Sequence, residues 1–173
     1  VIVNDWSARD IQKWEYQPLG PFNAKNFGTT ISPWIVTLDA LQPFCEPGPA
    51  RTPEDPPMLD YLRCADDFVV NVALEVRLQS AAMRQKTQRG TVISRSNFRD
   101  MYWTMCQMLA HHTSTGCNMR PGDMLASGTI SGMTKDSRGC LLERTWRGTE
   151  PVTLDDGSER KFLQDGDEVE MTG

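Results

Sequence analysis

Asp5, Arg9, Gln12, Tyr16 and Lys25 place a carboxylate, a guanidinium, an amide, a phenol and an ammonium in one short stretch of chain. Arg9 and Gln12 are three residues apart, so on a helix they share a face. Both present fixed donors suited to an oxyanion or a carboxylate; the alternative is a solvated helix face. Asp5 follows the apolar Val1-Ile2-Val3 and suits a hard cation such as Mg²⁺ or Ca²⁺, or else caps a helix. Asp10 is the rival carboxylate, placed to pair with Arg9 or Lys13. Lys25 sits between Phe22 and Phe27, where its stem covers the rings or its ammonium stands desolvated at a site.

Trp6, Trp14, Phe22, Phe27 and Trp34 alternate with these polar groups. Exposed large aromatics contribute no stability, so the expectation is that they are buried and that the polar groups line the edge of a core. Farther along, Gly128-Thr129-Ile130-Ser131-Gly132 is either a turn or a place where backbone approaches a ligand closely, with Thr129 as a donor. Glu143, among Leu141, Leu142 and Trp146, faces solvent or acts as a base in a pocket. His111-His112 is expected to end a helix, one histidine facing the core and neither serving as base. Met101, Met105 and Met108 read as core packing.

These groups need elements to hold them. The pattern predicts strands at Val1–Val3 and Ile31–Leu38 and a short helix from about Ser7 to Lys13, closed by Pro18, Gly20 and Pro21. The proline-rich stretch 41–62 reads as an irregular loop. Alternation over Phe68–Leu78 predicts one long half-buried strand, followed by an exposed basic hairpin loop, Ala81–Gly90. Helical spacing of Phe98, Met101, Met105, Met108 and His112 predicts the one principal helix, about residues 96–112, capped by Ser96 or Asn97. Short strands are expected at Met124–Ala126, Thr129–Ser131, Cys140–Trp146, Val152–Leu154 and Val169–Met171. Turns at Pro121-Gly122-Asp123, Ser137-Arg138-Gly139, Asp155-Asp156-Gly157 and Asp165-Gly166-Asp167 separate them. One helix among many strands means an α+β, mainly β domain.

The 173 residues suffice for a single domain, and 39% hydrophobic with 24% charged residues is an ordinary globular balance. A net charge of −5 argues against nucleic acid. No apolar run is long enough for a membrane span, and no signal peptide is evident. Five widely spaced cysteines without a C-x-x-C pair suit reduced thiols in the cytoplasm. Both ends fall inside apolar elements, so the expectation is a domain cut at either end.

Several blocks together resemble the fumarylacetoacetase family. They are Asn4-Asp5-Trp6-Ser7-Ala8-Arg9-Asp10-Ile11-Gln12-Lys13-Trp14-Glu15-Tyr16, Gly20-Pro21-Phe22 with Lys25 and Phe27-Gly28-Thr29-Thr30, and Ser32-Pro33-Trp34. The likeness continues through Ser96-Asn97-Phe98, Met101–Met105, Arg120–Asp123, Leu125–Gly132 and Asp165–Val169. It implies the C-terminal catalytic domain over residues 1–173, with a mixed β-sandwich/β-roll. It also implies metal-dependent hydrolysis of the carbon–carbon bond of 4-fumarylacetoacetate to fumarate and acetoacetate, in tyrosine and phenylalanine catabolism. The runners-up are acylpyruvate hydrolase, oxaloacetate decarboxylase or a non-catalytic dimerising fragment.

By the same resemblance Asp5, with backbone near Lys25 and Thr29, holds Mg²⁺ and/or Ca²⁺. Arg9, Gln12 and Lys25 stabilise the oxyanion and the developing carbanion, Tyr16 and Thr129 contact a diketo acid substrate, and Glu143 positions or activates water. The family's remaining metal carboxylates and its general-base histidine have no match in these residues, so the chain alone is expected to be inactive. A cytoplasmic homodimer is implied.

Overall fold

Leu78, Met83, Ile93, Val152 and Leu154 are the apolar side chains around which the larger part of the chain closes. The computed structural model describes residues 1–65 and 67–173. They divide into two units, Val1–Ala40 and Leu41–Gly173.

In the first unit β1 (Val3–Asp5) pairs antiparallel with β2 (Thr29–Ile31), Asp5 opposite Thr29. Between them lie α1 (Arg9–Glu15) and α2 (Asn23–Asn26). No side chain caps α1, so Asp5 does not do so. The amide of Ala8 instead donates to the Ala24 carbonyl at 3.0 Å, joining the two helices. The Glu15 carboxylate accepts the first amides of α2, from Asn23 at 3.1 Å and Ala24 at 2.7 Å. An anion there satisfies donors that have no partner inside the helix and suits the helix dipole.

The expectation of buried aromatics is overturned. Trp14 is 89% exposed and Trp34 78%, Phe22 and Phe27 more than half, and Trp6 is half-buried. Ala24 is the only buried hydrophobic side chain among these forty residues. So short a segment has too little surface to enclose five rings, and polar contacts order it instead. The second strand also ends at Ile31 rather than running to Leu38. Ser32 closes the pair, its amide donating to the Ile2 carbonyl and its hydroxyl accepting the Ile2 amide. Pro33 has no N–H with which to continue the ladder. A short helix α3 (Leu38–Leu41) follows.

The second unit is built on a three-stranded antiparallel sheet in the order β6-β5-β9. Two further strand pairs accompany it: β3 with β4, which precedes the sheet in sequence, and β7 with β8, which falls between β6 and β9. In chain order the elements are β3 (Cys45–Pro47), β4 (Phe68–Val70), β5 (Ala73–Gln79), α4 (Ala81–Gln85) and β6 (Thr91–Asn97). Then come α5 (Met105–Thr113), α6 (Leu141–Arg144), β7 (Val152–Thr153), β8 (Glu159–Arg160) and β9 (Glu168–Thr172).

The stretch 41–62 is largely irregular as expected, apart from β3 and two 3₁₀ turns, Gln42–Phe44 and Asp60–Leu62. The single strand expected over Phe68–Leu78 is two. The Asn71 amide donates to the Phe44 carbonyl and that of Val72 to the Val70 carbonyl, which turns the chain between β4 and β5. The Asn71 side chain stitches the break, bonding Glu46 at 2.7 Å and accepting from Asn97 at 2.7 Å.

Ala81–Gly90 does join two antiparallel strands and exposes its basic residues Arg84, Lys86 and Arg89, but it opens on the helix α4 rather than being loop throughout. Ser80 caps α4 by accepting the Met83 amide, and Met83 is wholly buried. The principal helix is shorter than predicted. Residues up to Asn97 pair with β5, and Asn97 caps only the 3₁₀ turn Phe98–Asp100. The helix proper starts at Thr104, whose hydroxyl accepts the Gln107 amide while the Gln107 side chain accepts the Thr104 amide. This reciprocal cap fixes the start.

Strand assignment fails at Met124–Ala126 and Thr129–Ser131, where the backbone is irregular, and at Cys140–Trp146, where α6 forms. It holds at Val152–Leu154 and Val169–Met171, which fall on β7 and β9. The turn glycines Gly122, Gly157 and Gly166 all have positive φ, which other residues adopt only with strain.

Candidate active site

Asp5 and Thr29 face each other because their strands are in register, and Lys25 reaches the same spot from α2. The Lys25 ammonium lies 2.8 Å from the Asp5 carboxylate and donates to the Asp5 carbonyl at 3.1 Å and the Ser7 hydroxyl at 2.8 Å. An ammonium has three protons, and all three find acceptors. Asp5 is therefore a strand residue and not a helix cap, and the Lys25 ammonium is held by three acceptors.

On α1 the Arg9 guanidinium donates to the Gln12 side-chain oxygen at 2.8 Å. That bond orients the Gln12 amide with its N–H group free to donate. Asp10 accepts the Ile11 amide at 2.9 Å. Tyr16 is the exposed C-terminal cap residue of α1, 64% accessible. The structure thus groups Asp5, Ser7, Lys25 and Thr29, and separately pairs Arg9 with Gln12.

In the second unit Thr129 and Glu143 are both exposed. Ser131 connects their segments. Its hydroxyl donates to Glu143 Oε2 at 2.5 Å and accepts the Gly139 amide at 3.0 Å. A Cβ on Gly139 would fall 2.2 Å from the Ile130 carbonyl oxygen and 2.9 Å from the Thr129 methyl. Only glycine lets residue 139 lie against this stretch.

Glu143 itself stands on a well-held helix. Arg138 donates to the Glu143 carbonyl at 3.0 Å, and Arg144 donates to the Ile93 carbonyl of β6 at 3.1 Å. Fully buried Thr145 donates to the Leu141 carbonyl at 2.7 Å.

Sequence reasoning missed Ser7, Glu15 and Ser131. Ser7 and Ser131 lay inside motifs already singled out, but a serine offers no spacing signal of its own. Glu15 could have been suspected from its place before the Pro18-Leu19-Gly20-Pro21 break, where an anion can reach back to a following helix.

His111 and His112 do end α5, but both are exposed, against the expectation that one faces the core. His111 Nδ1 lies 2.9 Å from the Tyr61 hydroxyl and His112 Nε2 lies 3.4 Å from Cys117 Sγ.

A Mg²⁺ or Ca²⁺ site needs several oxygen donors. Asp5 offers one carboxylate, and the Lys25 ammonium already occupies its Oδ2. Among the described residues no group of three or more His, Cys, Asp or Glu side chains could hold an ion. These donors do not by themselves compose a cation site.

The family model of the C-terminal domain of fumarylacetoacetate (FAA) hydrolase matches residues 1–173. The chain is 54% identical to human fumarylacetoacetase over 173 residues, 56% to that of Bos taurus and 54% to that of Arabidopsis thaliana. Each match takes in all of this chain and 40%, 40% and 39% of the respective relative, so the chain spans about two fifths of their length. A match that runs from the first residue to the last, through both the Asp5–Lys25 block and the Ser131–Glu143 contact, places the chain in the fumarylacetoacetate hydrolase family.

Proposed function

We propose that this chain is one catalytic domain of a hydrolase that splits 4-fumarylacetoacetate into fumarate and acetoacetate, in tyrosine and phenylalanine catabolism. The clustering of Lys25, Asp5 and Thr29, with Arg9 and Gln12 on the preceding helix, is the observation that carries it. The mixed β-sandwich/β-roll, a homodimer and a cytoplasmic location belong to the same proposal. No helix among the described residues is long and apolar enough to cross a membrane.

The chemistry follows from the donors. Water adds through oxygen to the carbonyl next to the fumaryl double bond, and its proton leaves to a base. Glu143 positions that water. The negative charge gathers on the former carbonyl oxygen, where preorganised donors act most strongly. Arg9 and the Gln12 amide supply two.

Lys25 supplies a third by exchanging its neutral acceptor, the Ser7 hydroxyl, for the oxyanion, since charge-assisted bonds are the stronger ones. The carbon–carbon bond then breaks, its electron pair leaving as the enolate of acetoacetate, which a proton quenches. Tyr16 and Thr129 contact the substrate's carboxylate and carbonyls. Asp5 would be one donor to Mg²⁺ or Ca²⁺; the Lys25 ammonium on that carboxylate does not fit an ion at the same oxygen, so no step is routed through one.

The test is turnover by the intact protein of fumarylacetoacetate, an acylpyruvate and oxaloacetate. Fumarylacetoacetate is expected to be preferred, and Lys25→Met is expected to lower kcat by about 100-fold, as for loss of an oxyanion donor. Faster turnover of oxaloacetate or an acylpyruvate would overturn the assignment in favour of those activities.

A further inference from the structure

We infer that Ser131 is a positioning residue that fixes the Glu143 carboxylate for its work on water; the inference rests on the role of Glu143 proposed above. A serine hydroxyl has one proton to give and two lone pairs. Here the Gly139 amide fills a lone pair at 3.0 Å, and the proton goes to Glu143 Oε2 at 2.5 Å. Among the described residues no other side chain bonds this carboxylate through a hydrogen bond or ion pair, and Glu143 is exposed, which leaves Oε1 for a water. An exposed glutamate otherwise samples many rotamers, and a carboxylate that positions a water must be held within hydrogen-bond reach of it.

Both ends of the bridge are rigid. Gly139 is pressed against Ile130 so closely that a methyl group cannot enter, which sets where residue 131 lies. The backbone under Glu143 is tied to β6 through Arg144 and braced by Arg138. Among the described residues Ser131 is thus the one side chain bonded to the Glu143 carboxylate: remove its hydroxyl and the helix stays while the carboxylate is freed. The Gly128–Gly132 motif acquires a use in its fourth residue, in addition to Thr129.

The experiment is a double-mutant cycle in the intact protein. Ser131→Ala is expected to lower kcat about 10-fold or more with KM within about two-fold, in the range for weakened acid–base assistance. Ser131→Thr, which keeps the hydroxyl, is expected to restore most of it. In a Glu143→Gln background Ser131→Ala is expected to have no further effect, because coupled groups are not additive. Amide exchange at Gly139 in the intact protein gives a readout apart from activity, and it is expected to quicken in Ser131→Ala.

A multiplicative loss in the double mutant, a failure of threonine to rescue, or unchanged exchange at Gly139 would overturn the role of Ser131. Unchanged kcat in Glu143→Gln alone would overturn the role of Glu143 instead, so the two failures are distinguishable. Should Ser131→Ala lower the melting temperature, threonine rescue and the Gly139 exchange rate still decide the matter.

Discussion

Residues Val1–Ala40 hold six candidate site residues on almost no core, whereas Leu41–Gly173 holds two, Thr129 and Glu143, on a substantial one. In the first unit order comes from polar clasps: Glu15 on the start of α2, Lys25 on Asp5 and Ser7, Trp6 on Thr30. Its large side chains face outward, with Trp14, Trp34 and Ile35 each more than three quarters exposed. In the second unit Leu78 and Met83 have no exposed surface, and Glu143 is reached through a helix anchored to the central sheet. Chemical density and packing density are thus separate properties of this chain. The segment richest in reactive groups is the one least able to bury its own aromatics.

The sharpest test of that contrast is Leu78→Ala against Trp14→Ala. Truncating a fully buried leucine is expected to cost about 3 kcal/mol, read as a lower urea midpoint. Trp14→Ala is the small end of the scale, within about 0.5 kcal/mol, as for surface substitutions away from special features. A Trp14 effect as large as that of Leu78 would break the contrast.

Between them lies an acid-sensitive contact of the second unit. Hydrogen bonds from the Ser158 hydroxyl, the Ser80 hydroxyl and the Ser158 amide pull the Asp156 carboxyl from 3.8 down to about 2. A carboxyl depressed on folding contributes stability above its unfolded pKa, and that contribution is lost as pH falls through the folded value. Near-ultraviolet dichroism of the second unit is therefore expected to weaken between pH 4 and 2. Asp156→Asn is expected to flatten that dependence. The same Ser80 hydroxyl caps α4, so the acid step also loosens the helix carrying Met83.

The alternation around Leu78, the turns at Gly157 and Gly166, and the strands β7 and β9 were legible because each follows from local pattern. The family itself was legible in the Asp5–Lys25 block. Other features depend on partners distant in sequence. Asn97 sits in a strand because Ala73 lies opposite it, overriding the helical spacing that begins at Phe98. Cys140–Trp146 reads as one more short strand between turn signals, yet Leu141 packs on the core as part of a one-turn helix. The Ser131–Glu143 bond spans twelve residues and no periodicity announces it.

The Glu15 clasp carries a consequence for protein engineering. Because that carboxylate grips the amides of Asn23 and Ala24, the intervening turn has its two ends already fastened. Leu19 is 73% exposed at its tip and Gly20 has φ of +89° with open space around it. Lengthening a loop whose ends are fixed is cheap, about 0.6 kcal/mol for each doubling. The tip between Leu19 and Gly20 is thus a permissive port, where an epitope or a fluorophore-bearing peptide can be spliced in beside Arg9, Gln12 and Lys25 without displacing them.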